Sequence, residues 1–255
     1  MIATPELLAL ALVIVFAAYF VFGATGFGSS LLAVPLLSQL APLAFVLPLV
    51  LALDLVASAQ IRAVAPTPPD RGELLRTLLP MAAGTAAGVL LLGAMPEAIL
   101  LALLGAITLG WGLRMLRPAG VHAPAPIGRG WAWPAGGAAG LMGAAFGVPG
   151  PPYVMYLSRR IFDKSTFHAT IASALGLHFL LRTGVFAAAG LYAQPGIVHA
   201  IAWLLPASVL GAWTGMRVQR EVPATRFFRW VALLLAGIGA ALLVRVGAAA
   251  WPANG

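Results

Sequence analysis

The chain has 255 residues, 61% of them hydrophobic and 9% charged, with a formal net charge of +8 and no cysteine. Soluble domains carry about 25% charged residues, so a water-solvated globule is excluded, and without cysteine so are disulfides and thiolate chemistry. The positive charge does not point to nucleic acid: thirteen of the fifteen basic residues fall in four short stretches between apolar runs, 62–76, 114–129, 159–164 and 217–229. That is how cytoplasmic loops of a membrane protein are charged.

Glu6 is the only charged side chain before the first apolar run, so the basic region of a signal peptide is missing and the segment reads as membrane-embedded. A broken segment covers 5–40, interrupted by GATGFGSS. Continuous spans follow at 43–61, 74–93 and 96–116, then a polar connector at 117–130. A second broken segment, 131–158, contains GLMGAAFGVPGPPYVMYL, and further spans lie at 166–190, 196–216 and 226–247. Apolar runs of about 20 residues are helical spans, whereas a β-barrel would need short alternating segments. The expectation is a single integral, all-α membrane domain.

The halves repeat. Gly23, Gly26 and Pro35 recur as Gly140, Gly143 and Pro152 at an offset of 117, and the Gly84/Gly88 pair has a counterpart in Gly211/Gly215. Loop charge then decides topology. If 131–158 crossed once, half of the basic loops would face outside; if it dips in and returns, all four are cytoplasmic, which the charge rule favours. Two inverted repeats are predicted, 1–116 and 131–250, each a re-entrant broken segment plus three transmembrane helices, joined by a cytoplasmic connector at 117–130. Eight single-crossing helices are the alternative.

Backbone that leaves the helix inside a membrane must be buried in protein or line a cavity. In GVPGPP (147–152), proline suits the start of a new half-helix near Pro152, whose free N–H groups and positive dipole end would face the break. In the first half, Ser29 or Ser30 is a candidate N-cap. Two facing helix N-termini make an anion site, with Gly26, Gly28, Gly147 and Gly150 permitting close approach of a ligand to the backbone. Turning and packing alone explain the glycines as well. Arg182 can clamp an oxyanion or reach the interface as a helix-end arginine. Asp54 can take a coupling proton or pair with Arg62 or Arg182. His178 can titrate or bond to a neighbouring backbone. Tyr153, sharing a face with Tyr156, can donate to a substrate or anchor at the interface. No nucleophile motif, P-loop or metal cluster is present, so neither an enzyme nor a cofactor or metal site is expected.

GATGFGSSLLAVPLL (23–37), followed 117 residues later by GLMGAAFGVPGPPYVMYL (140–157), resembles the TauE/SafE family of sulfite-exporter-like membrane proteins. The resemblance continues through DLVASAQIR (54–62), LLPMAAGTAAG (78–88), FHATIASALGLHFLLRTGVFAAAG (167–190) and LPASVLGAWTGMR (205–217). The family often has GxGGG in the first break and GxGGPP in the second, where this chain has Gly-Phe-Gly-Ser-Ser (26–30) and Gly-Val-Pro-Gly-Pro-Pro (147–152). The resemblance implies export of a small sulfur-containing anion, such as sulfite or an organosulfonate, across a bacterial cytoplasmic membrane. The expected partners are therefore a small anionic substrate and the lipid bilayer, without nucleic acid. A homo-oligomer is compatible with the sequence but not specified by it. A non-transporting membrane scaffold is the competing reading.

Overall fold

The computed structural model describes residues 5–26, 28–63, 67–116, 125–218 and 224–250; most of the 117–130 connector and part of the 217–229 basic stretch lie outside them. The described chain forms α1 (Pro5–Thr25), α2 (Ser29–Leu37), α3 (Leu43–Ala63), α4 (Arg71–Ala94), α5 (Glu97–Leu116), α6 (Ala132–Phe146), α7 (Gly150–Leu157), α8 (Lys164–Ala188), α9 (Ile197–Val218) and α10 (Ala224–Ala250). Short 3-10 turns lie at Arg129–Trp131 and Leu191–Ala193, and the described residues contain no strand. Seven helices, α1, α3, α4, α5, α8, α9 and α10, are long and apolar enough to cross a membrane. The six predicted continuous spans correspond to α3–α5 and α8–α10, and the two broken segments to α1–α2 and α6–α7.

Local chemistry explains the boundaries. Asp70 and Asp163 cap α4 and α8, accepting from the backbone N–H of Glu73 (3.1 Å) and Thr166 (2.7 Å). Pro48 inside α3 brings no N–H for the carbonyl of Ala44, which instead accepts from the Gln194 side-chain amide at 2.9 Å. Within the spans, the hydroxyls of Thr85, Thr108 and Thr183 donate back to carbonyls one turn earlier, at 2.9, 2.8 and 2.7 Å, so these hydroxyls are paired without leaving their own helices. Leu75, Leu79, Leu90, Val198 and Val244 project outward. Such a surface is stable because its solvent is hydrocarbon.

The halves exchange partners. α1 packs on α9 and α6 on α4, while α5 pairs with α10 and α3 with α8. Glycine makes the exchanged contacts close: a Cβ on Gly84 would lie 2.1 Å from the Gly137 carbonyl oxygen, and one on Gly215 would lie 2.1 Å from that of Phe20. Small residues at four-residue spacing permit such backbone contact. Gly84 and Gly88 meet Gly137 and Leu141, while Gly211 and Gly215 meet Phe16 and Phe20, so both pairs of helices run parallel.

These registers correct the predicted repeat offset. Phe16 and Phe20 occupy on α9 the places that Gly137 and Leu141 occupy on α4, an offset of 121. The half-helices α2 and α7 also start 121 residues apart. The glycine match at 117 is one helical turn short. Small residues recur on the packing face every turn, so sequence matching slides by four without penalty.

Candidate functional site

Both breaks begin with a glycine in the left-handed region: Gly26 (φ 79°) ends α1 and Gly147 (φ 76°) ends α6. Their N–H groups close back on the carbonyls of Phe22 (2.7 Å) and Gly143 (3.0 Å). This is the usual left-handed stop of a helix, at a place where an L side chain is strained. α2 and α7 then start, and their first residues face one another across a narrow cleft lined by Gly28, Ser29 and Ser30 on one side and Val148, Pro149 and Gly150 on the other. Phe22, Leu31, Leu175 and Phe179 complete an apolar wall. The cavity, about 10 Å³, is water-sized. The donor supply is unequal. Pro151 and Pro152 in the first turn of α7 have no N–H, so α2 offers more free backbone donors than α7 does.

Neither serine is an N-cap. Gly28 (φ 97°) holds the cap position of α2 and no side chain caps it. The serine hydroxyls turn instead to Asp54: Ser29 Oγ donates to Oδ1 and Ser30 Oγ to Oδ2, each at 2.7 Å. Tyr19 Oη donates to Oδ1 at 2.7 Å and also reaches the Val50 carbonyl at 3.1 Å. Asp54 is fully buried. Of the alternatives for Asp54, the pairing with Arg182 is not made; the carboxylate takes hydroxyl donors from α1 and α2. A neutral hydroxyl satisfies a buried carboxylate without burying a second charge.

Arg182 is also fully buried, and it stands behind the cleft rather than in it. Its Nη1 donates to the Gly143 carbonyl, its Nη2 to the Leu47 carbonyl at 3.3 Å, and its guanidinium lies 5.1 Å from the centre of the Phe186 ring. It therefore ties α8 to the last turn of α6 and to α3; Nε alone has no partner. His178, one turn earlier, is fully buried with neither ring nitrogen hydrogen-bonded, so the alternative of a backbone partner is not met. Its ring fills the space a Cβ on Gly143 would need, 2.2 Å from Nε2. Tyr153 is buried with its hydroxyl unpartnered and does not line the cleft. Of the ten predicted site residues, Gly28, Ser29, Ser30 and Gly150 line the cleft. Gly26 and Gly147 end the helices that lead to it, and Asp54, Tyr153, His178 and Arg182 stand behind.

A second polar cluster was not anticipated. Glu73 is buried, and its carboxylate accepts from Tyr156 Oη (2.5 Å), Arg76 Nη1 (3.0 Å) and Arg160 Nη2 (3.0 Å). Arg160 Nη1 also donates to the Ile127 carbonyl at 3.1 Å, so residues just before α6 and just after α7 touch. Beside Glu73, the Arg160 guanidinium is held further toward its charged form, and the Asp163 carboxyl is held below its usual range by the Thr166 N–H it accepts. Glu73 lay hidden in a basic loop, where a lone acid reads as helix-start charge. Tyr19 sat in an unbroken apolar run and gave no signal.

Seven membrane-length helices around two facing helix breaks define a multi-pass membrane protein. The chain belongs to the family described as Sulfite exporter TauE/SafE, whose sequence model matches residues 10–242. Neither a curated protein nor a solved structure matches it.

Proposed function

We propose that the chain is a secondary transporter carrying a small oxyanion, such as sulfite or an organosulfonate, outward across a bacterial cytoplasmic membrane, with the anion held between the two breaks. The observation that carries this reading is the facing pair of half-helix starts at Ser29 and Gly150, walled by apolar side chains and backed by a buried arginine. Free N–H groups and the dipole of α2 favour negative charge there, and the dry wall strengthens that attraction. Gly28, Ser29, Ser30 and Gly150 are the contact residues. Arg182 acts from behind, as the positive charge of the core and as the tie that positions α6. In this reading 1–116 and 131–250 are inverted repeats that rock about the cleft to open it on alternate sides, and because α1 packs on α9 and α6 on α4, each exchanged helix moves with the opposite half.

The test is flux from proteoliposomes loaded with sulfite, taurine-like sulfonates, sulfate or chloride. Efflux of at least one oxyanion, saturable and absent from empty liposomes, is expected. No protein-dependent flux of any anion would leave the scaffold reading standing in its place.

A further inference from the structure

We infer that Asp54 is a proton site, and that its occupancy decides whether a hydroxyl of Ser29 or Ser30 is available to the anion; this deepens the transport reading and rests on it. The two serines that line the cleft are the same two whose hydroxyls donate to Asp54, one to each carboxylate oxygen. A hydroxyl carries a single proton, so while it serves Asp54 it cannot serve a substrate. An ionised Asp54 also puts a negative charge at the N-terminal turn of α2, where the helix dipole would otherwise attract the anion. The resting arrangement is thus self-blocking.

A proton arriving on either carboxylate oxygen removes that charge and makes the oxygen a donor to a neighbouring hydroxyl. The hydroxyl that receives this bond turns its own proton toward the cleft. Arg182, buried in the same core, then loses its counter-charge and draws the anion in. Anion and proton are bound together and cross together, one for one. A dianion with one proton moves as a single net negative charge, so an inside-negative potential still drives it outward.

All three hydroxyls stand 2.7 Å from the carboxylate, the distance of direct O–H···O bonds. On the elements packed against α3, the titratable or charged groups are few. α1 presents Tyr19, α2 carries no charged residue, and α8 presents Arg182 and His178. His199 and Arg217 lie at the ends of α9, and Tyr192 lies in the 3-10 turn beside the start of α3. Asp54 is therefore the acid that can exchange a proton at the cleft.

The experiment uses the full chain in proteoliposomes with a trapped pH dye and a transported anion. For one proton per anion, a one-unit pH gradient should sustain up to about a tenfold anion gradient. The readout is the ratio of proton to anion movement, one in the wild type and zero in Asp54→Asn, which is neutral at every pH, whatever its rate of anion flux; the pH-driven accumulation is lost with it. Accumulation retained in Asp54→Asn overturns the proposal, as does accumulation that follows a sodium gradient instead. Should the variant fail to fold, the wild-type protein decides alone: proton movement accompanying anion flux one for one supports the site, and anion flux with no proton movement overturns it. Absence of any anion flux overturns the transport reading itself, a distinct result.

Discussion

At Gly143 three requirements meet on one residue. Its carbonyl accepts from both Arg182 and the Gly147 N–H, and its missing side chain leaves the space that the His178 ring occupies. A Cβ there would lie 2.2 Å from His178 Nε2, and the ring is enclosed on every side. Gly143→Ala should therefore cost about 1–3 kcal/mol through overpacking. It should appear as a lower melting temperature in detergent and slower anion flux, with His178→Ala in the same chain restoring much of the loss. A single variant as stable as the wild type would mean the ring moves freely and is not wedged. Asp54, His178 and Arg182 stood out in the sequence because ionisable groups are rare in apolar spans, and burial accounts for that rarity. What each one bonds to was not legible. Hydroxyl partners such as Tyr19 come from helices that are adjacent only after folding, and no local spacing announces them.

Among the elements, α7 is the most exposed to failure, since eight residues make barely two turns and two of the first three are proline. Its far end is held by Glu73, which accepts from Tyr156 Oη and from both Nε and Nη2 of Arg160 and so joins them to α4. The same arginine bonds the Ile127 carbonyl ahead of α6, so the cluster latches both ends of the second broken segment to one place. The side chains of Arg76 and Arg160 are 37% and 21% exposed and can rehydrate, so removing the acid should cost about 1–3 kcal/mol rather than the larger figure for a fully enclosed pair. Glu73→Ala is expected to raise hydrogen exchange across Gly150–Arg160 and leave α5 and α10 unchanged. Unchanged exchange in α7 would refute the latch. The breaks themselves were readable, because glycine and proline in an apolar run have few uses. Their matching register was not, for one turn of slippage leaves the small-residue pattern intact.

For the whole molecule, contacts that orient the chain agree with the loop charges. α4 begins after Asp70, whose N–H donates to Thr170 near the start of α8, and Thr67 meets Ser165. The 67–70 turn, the start of α8 and the Glu73 cluster thus share one side, and Arg160 brings the start of α6 and the end of α7 to it. On the opposite side, Gln194 holds the start of α3, and Leu43 N–H donates to Glu97 at the start of α5 at 2.6 Å. Because α1 runs parallel to α9, which begins just after Gln194, the start of α1 and the end of α2 belong to this second side. Two segments that each return to the side they came from, one per side, are what an inverted pair requires. Composition made the membrane legible, and charge predicted a sidedness that labelling can test; the exchange of α1 and α6 between halves was not legible, since it depends on contacts far apart in the chain. The absence of cysteine makes the topology directly testable with Gly128→Cys, Phe162→Cys and Pro195→Cys, each at an exposed position. In intact cells an impermeant maleimide should reach position 195 only, and positions 128 and 162 should react together once the membrane is opened. Eight single crossings would put 128 and 162 on opposite sides, so labelling that separates those two positions overturns the re-entrant arrangement and the inverted repeat with it.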